Sequence, residues 1–570
     1  MFLNDAVYSN KKIKPVFCHH EQAVGMAAEA YGRVSNKLGV AMVTAGPGAI
    51  NVLNGVVGAF TDSAPLLIIS GQSPVFNVEY MKKTKIRQIG LQGINTEPVV
   101  KSVTKFFKTL DDPAEVEYVL EQAYFLATTP RTGPAWIEVP LDIQRMQVPA
   151  KLLRKFNPLN NETLKPFSNS SLNAALSLIH SSKRPLILAG QGIRLSKAND
   201  IFSKGIEKLK IPVITTRLGI DLIESSNPLF VGRPGLYADR GANLAVQNAD
   251  LILAIGARLD TGIVGYDAKD WGRFAKKIVV DIDPEELVKP GINIDLKINA
   301  DAGEFLKGLL SKLDSKKMQN IDKWRQICTE WKRRYPTVLE IYKKEKLVNS
   351  YYLSQRLSKA ASAKDTILVD TSSAFHVACQ AWEIKRGQRF LTTGGISTMG
   401  YWVAAIGACL AAGSGRTIVI TGDGSLQMNI QELATIKQNK LPIKIFIIDN
   451  GGYLLIRHTQ KTHMEGRYMG ESPKTGLWCP DPVKIAKAYG IYAVEINNTS
   501  QLDAGIKKAL SHPGPVICNV KSPHWQMIIP RISSSKQPDG SMVSRPYEDL
   551  FPFLSTEELS ANMIAIKEKE

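Results

Sequence analysis

The sequence holds 570 residues, 44% apolar and 22% charged, with a net charge of +18. That length exceeds one hydrophobic core and predicts about three domains; with no bilayer-length apolar run and no secretory start, no membrane partner is expected. Six scattered cysteines with no CxxC pair argue against a disulfide framework or zinc module and predict a cytoplasmic setting.

In chain order, the first informative stretch is CHHEQAVGMAAEAYGR (18–33), a polar entry to an alanine-rich amphipathic helix. His19 and His20 are adjacent, whereas helical zinc ligands stand three or four residues apart. Glu21 is then a metal ligand, an ordinary helix-start acid or a buried functional carboxylate; local spacing leaves all three open. Apolar strands follow at 40–46, 65–71 and 134–140, then at 184–190, 211–216, 249–257 and 277–283, and again at 365–370, 417–424, 443–450 and 515–520. Continuous apolar strands alternating with helices predict parallel sheets covered on both faces.

Polar connectors at 150–171 and around 311–348 divide the series. The expected fold is α/β, three consecutive doubly wound domains at 1–150, 170–312 and 348–525, with a strand-free tail at 526–570. The basic residues lie on lysine-rich helix faces such as 316–346, without aromatic interleaving, so no nucleic-acid partner is expected. The charge suits steering of an anionic substrate.

Chemistry concentrates in GDGSLQMNIQELATIKQNKLPIKIFIIDNGGY (422–453). Two parallel strands end at Gly422-Asp423-Gly424 and at Asp449-Asn450-Gly451-Gly452, which brings both ends to one sheet edge. A carboxylate from Asp423, an amide oxygen from Asn450 and the Gly452 carbonyl suit Mg²⁺. The helix start after Ser425 suits a phosphate.

This motif resembles the diphosphate anchor of thiamine-diphosphate enzymes. The HEQ start and TAGPGAINVLNGVVGAFTDSAPLLIISGQ (44–72) resemble the acetolactate synthase branch, over nearly the whole chain. The resemblance implies that Glu21 bonds N1′ of the cofactor's aminopyrimidine and drives the 4′-imino form that deprotonates C2. It further implies Pro47 and Asn51 beside the pyrimidine, Gln72 and Gln88 on the substrate side, and Lys101 at the channel mouth. Ser373 would meet the diphosphate, and Ser397 and Met399, in TTGGISTMG, would lie against the cofactor, with Met399 propping it in its bent form. The middle domain resembles an FAD-holding one, with Arg131, Gly190, Arg258, Asp260 and Asp281 at the contacts and the FAD in or out of redox use.

Four departures stand out. Thr459 replaces a tryptophan that narrows the acceptor pocket. Ser373-Ala374 replaces a Gln-His pair at the diphosphate, and Gly262 replaces a second arginine near the flavin. Glu21 also comes about 25–30 residues early, as though a first helix, strand and glycine-rich turn were absent, which predicts an exposed sheet edge and a weakened site.

The implied activity is decarboxylation of pyruvate, or another 2-oxo acid, with transfer of the two-carbon unit to a second carbonyl. A second 2-oxo acid would give acetolactate, as in branched-chain amino-acid synthesis. A keto-sugar nucleotide acceptor and a noncatalytic paralogue are the alternatives. A homodimer or homotetramer is implied, because Glu21 and Asp423 lie on different domains; a small regulatory subunit is a further candidate partner.

Overall fold

The computed structural model describes residues 1–129, 131–158 and 167–567. Pro130, residues 159–166 of the first connector and the last three residues of the tail lie outside the described residues.

Three parallel sheets follow one another along the chain. The first joins β1 (Gly39–Val43), β2 (Leu66–Gln72), β3 (Phe106–Thr109) and β4 (Pro134–Pro140) in the order β1-β2-β4-β3. The second has β5 (Pro185–Ala189), β6 (Val213–Thr215), β7 (Phe230–Gly232), β8 (Leu251–Ile255), β9 (Lys276–Asp281) and β10 (Leu296–Asn299), ordered β10-β9-β8-β5-β6-β7. The third has β11 (Thr366–Val369), β12 (Arg389–Thr392), β13 (Thr417–Gly422), β14 (Ile443–Asp449), β15 (Tyr492–Ile496) and β16 (Val516–Lys521), ordered β12-β11-β13-β14-β16-β15. The expected α/β class of parallel sheets is what the chain adopts. No helix among the described residues is long and apolar enough to cross a membrane.

The tail differs from expectation. It carries a short antiparallel hairpin, β17 (Ser534–Lys536) with β18 (Met542–Ser544), where no strand was predicted. Beyond it the chain returns to the second sheet, and Tyr547 and Leu550 join that sheet's core. The Glu548 carboxylate accepts from Arg273 at 2.6 Å and from Gln247 at 2.9 Å, which anchors the segment.

The alanine-rich helix Glu21–Ser35 explains its own composition. It packs against helix Ala405–Ala411 of the third region so closely that a Cβ at Gly407 would overlap the Ala27 carbonyl. Ala23, Ala27 and Ala30 share one core with Trp402 and Ile406. Larger side chains would separate the backbones. Further along the same helix, Arg33 is buried and donates to Glu29 and to the Thr392 carbonyl, each at 3.0 Å, and to the Tyr401 hydroxyl at 3.1 Å.

Candidate active site

β13 and β14 are neighbours with Gly422 opposite Ile448, so Asp423 and Asn450 emerge side by side at the carboxyl edge of the sheet. Asp423 is 3% exposed, and its carboxylate accepts the Gly424 and Gly452 amides, each at 2.8 Å. Burial, reinforced by the nearby Asp449 charge, pushes its pKa up to about 6. Asn450 is 6% exposed, and its Oδ1 has no hydrogen-bond partner. An unpartnered buried oxygen beside a carboxylate with a raised pKa is a site lacking positive charge.

The turn's backbone is constrained around this gap. Gly452 has φ +127°, and a Cβ there would overlap the Glu471 carbonyl; one on Gly424 would overlap the Tyr453 ring. The donors are all oxygen, which fits a hard cation completed by phosphate oxygens and water. Among the described residues no group of three or more His, Cys, Asp or Glu side chains could hold a metal, so one carboxylate and one amide carry the site.

The diphosphate-side residues divide. Ser425 Oγ donates to Asp370 at 2.6 Å and accepts the Gly400 amide at 2.9 Å. Its hydroxyl ties the Met399-Gly400 turn to the Gly422-Asp423-Gly424 turn, because the buried Asp370 carboxylate needs donors. Ser373 lies at the start of helix Ser372–Ala381, half-buried, and Met399 is half-buried. Ser397 is exposed with φ +48°, and its carbonyl accepts from Thr371 at 2.8 Å.

Glu21 is the first residue of its helix, and its carboxylate accepts from Asn51 Nδ2 at 3.1 Å. A Cβ on Gly48 would stand 3.3 Å from Glu21 Oε1, so that glycine keeps the space in front open. The sequence suggested a buried carboxylate; in the protomer Glu21 is half-buried, with Pro47 and Asn51 exposed beside it. The helix entry is held from one side by the third region, while Pro47 and Asn51 leave the other side of Glu21 exposed among the described residues. His20 Nδ1 accepts the Gln22 amide at 3.1 Å, so this histidine is a helix cap.

Gln72 departs from expectation. It is buried, donating to the Ile94 carbonyl at 3.0 Å and to Glu138 at 3.1 Å while accepting the Ser73 amide at 2.9 Å. The buried Glu138 on the neighbouring strand needs those donors, and its pKa is raised by burial. Gln72 therefore faces inward rather than toward a substrate. Gln88 is exposed and donates to the Gly90 carbonyl; Lys101 is 74% exposed and pairs with Glu97 at 3.7 Å.

A cavity of about 800 Å³ lies where the three regions meet. Arg131 lines it, donating to Ser63 Oγ at 3.1 Å and pairing with Asp283 and Glu286. Arg258 donates to the Thr61 carbonyl and stands 3.5 Å from Asp260. Asp281 is pushed up to about 6, chiefly by burial. Gly190 is a packing glycine: a Cβ would overlap the Gly256 carbonyl, and its neighbours Gln191 and Gly192 form the wall instead. Gln191 Oε1 and His376 Nδ1 are buried on that wall without partners, which fits a ligand rich in hydrogen-bonding groups.

Residues 1–94, 172–309 and 370–520 match, in turn, the thiamine pyrophosphate enzyme N-terminal TPP binding domain, central domain and C-terminal TPP binding domain. Acetolactate synthase 2, chloroplastic, of Zea mays is 32% identical over 549 residues, covering 94% of this chain and 83% of that protein. The acetolactate synthase large subunit of Cyanidium caldarium is 32% identical, covering 92% and 89%. The probable acetolactate synthase large subunit of Methanococcus aeolicus is 32% identical, covering 90% and 86%.

The chain belongs to the acetolactate synthase family of thiamine pyrophosphate enzymes.

One feature of this family member escapes sequence reasoning. Arg457, buried beneath the Asn450-Gly451-Gly452 turn, donates to Glu471 at 2.6 Å, to the Gly451 carbonyl at 3.3 Å and to the His524 carbonyl, which fixes the turn. Its place, seven residues past Asn450 on a helix, was the available signal. At the cavity, a Cβ on Gly262 would stand 3.4 Å from Arg217 Nη1, so Arg217 borders the space where the family resemblance expected a second arginine.

Proposed function

We propose that this chain is an acetolactate-synthase-like carboligase that decarboxylates pyruvate and joins the two-carbon unit to a second 2-oxo acid. The observation that carries the reading is the pairing of Asp423 with the unpartnered Oδ1 of Asn450, in a chain similar to acetolactate synthases along most of its length. That breadth of similarity favours acetolactate over a sugar product or a noncatalytic role.

Asp423, Asn450 and the Gly452 carbonyl would hold Mg²⁺ and, through it, the cofactor diphosphate. Thiamine diphosphate, when bound, supplies the electron sink for decarboxylation and carbon–carbon bond formation. Glu21 holds or moves a proton at its carboxylate, and the Asn51 amide fixes that carboxylate's direction. The glycine turn at 451–452, braced by Arg457, keeps the metal-side oxygens in place. The cavity's unpartnered Gln191 and His376 atoms, with Arg131 and Arg258, suit FAD, and Asp260 and Asp281 suit its ribose hydroxyls.

The exposed Glu21–Asn51 side supports a homodimer or homotetramer, in which a second copy's Asp423–Asn450 edge would close the site. The six unpaired cysteines suit a cytoplasmic setting.

The test is pyruvate consumption with thiamine diphosphate and Mg²⁺, with acetolactate read as acetoin after acid treatment. The expected result is acetoin that disappears in Glu21→Gln and Asp423→Ala. Folded, cofactor-loaded protein that leaves pyruvate untouched would overturn the reading.

A further inference from the structure

The carboxylate that meets the two amides before Glu21 comes from the third region of the chain. Glu432 opens helix Glu432–Gln438 in the third region, nine residues after Asp423, and is fully buried. Its Oε1 accepts the amides of His19 and His20, both at 2.9 Å, and its Oε2 accepts the His19 amide again at 3.2 Å. Thr435 Oγ1 donates to Oε2 at 2.7 Å. These two peptides immediately precede Glu21.

Peptide amides at a helix entry have no partner inside the helix and must find one elsewhere. Glu432 supplies it, and its charge sits at the positive end of a fifteen-residue helix. Among the described residues it forms no ion pair, so these amides, the dipole, the Thr435 hydroxyl and the Cys18 thiol are what compensate its burial. We infer that Glu432 is a positioning residue for Glu21: it pins the two peptides before it, and with them the place from which the Glu21 carboxylate reaches its target. Asn51 sets the carboxylate's direction; Glu432 sets its origin. The inference rests on the proton-handling role proposed for Glu21.

Glutamine at 432 would turn one accepting oxygen into a donor facing amide or hydroxyl donors, while keeping the side chain's volume. In the full-length, cofactor-loaded protein, Glu432→Gln is expected to lower kcat about 100-fold, the loss that a displacement of about 1 Å brings. Cofactor and Mg²⁺ affinities should stay within a few-fold of the parent. The near-ultraviolet circular dichroism band of the bound aminopyrimidine should also change, which a purely structural role would not cause.

Parent-like kcat and band in folded Glu432→Gln would overturn the inference. If that variant does not fold, Thr435→Val decides: loss of one hydrogen bond to Glu432 should lower kcat roughly five-fold, and no loss overturns the proposal. A Glu21→Gln protein with full turnover would instead remove the Glu21 reading, whatever position 432 does.

Discussion

At residue scale the most informative atom is Asn450 Oδ1, buried without a donor. Asn450→Ala should weaken Mg²⁺ binding by about 10- to 100-fold, the effect of losing a contact of about 1.5–3 kcal/mol to a charged group. The metal-free variant should melt no lower than the parent, because an unsatisfied group has gone; calorimetry and Mn²⁺ titration read the two effects. Asp423 sets the pH dependence. Its pKa of about 6 means that protons compete with the cation below that value, so Mg²⁺ affinity should fall as pH drops through 6 and level off above it. Asp423 and Asn450 were legible because strand ends on one edge must converge. Glu432 was not, since its partners are backbone amides more than 400 residues away. The inward bonds of Gln72 were not legible either, because they are set by Glu138 on another strand.

At element scale, legibility followed burial. The strands predicted from apolar runs include all the central ones, whereas β3, β7, β10, β12 and β15, which were not foreseen, are all edge strands. An edge strand such as β10 (LKIN) or β15 (YAVEI) is covered on fewer sides, so its sequence mixes polar and apolar residues over four or five positions. The alanine-rich helix shows the converse. Its small residues suggested an amphipathic helix and gave no partner; their reason is a backbone contact with helix Ala405–Ala411. Gly407→Val should therefore destabilise by about 1–3 kcal/mol or more in urea melts, as overpacking does.

At the scale of the whole molecule, ion pairs and the tail join what the three sheets divide. Asp221 of the second region pairs with Arg194 at 2.9 Å and with Arg389 of the third, and Arg389 donates to the Arg33 carbonyl of the first at 2.9 Å. Asp221→Asn leaves two half-buried guanidinium groups undercompensated and should cost at most about 3–5 kcal/mol. Tyr547 does similar work from the tail, donating to the Ile263 carbonyl at the cavity wall. Tyr547→Ala should cost about 3–5 kcal/mol, read by thermal melts, and loosen whatever the cavity holds.

The cavity drawing its walls from all three regions makes its occupant a thermodynamic component of the entire fold. Every increment of binding free energy is shared by three cores, so ligand present at 100 times its Kd adds about 2.7 kcal/mol to each route by which they come apart. Titrated with FAD, the occupant proposed above, the chain should melt in a single transition whose midpoint climbs with the logarithm of ligand concentration.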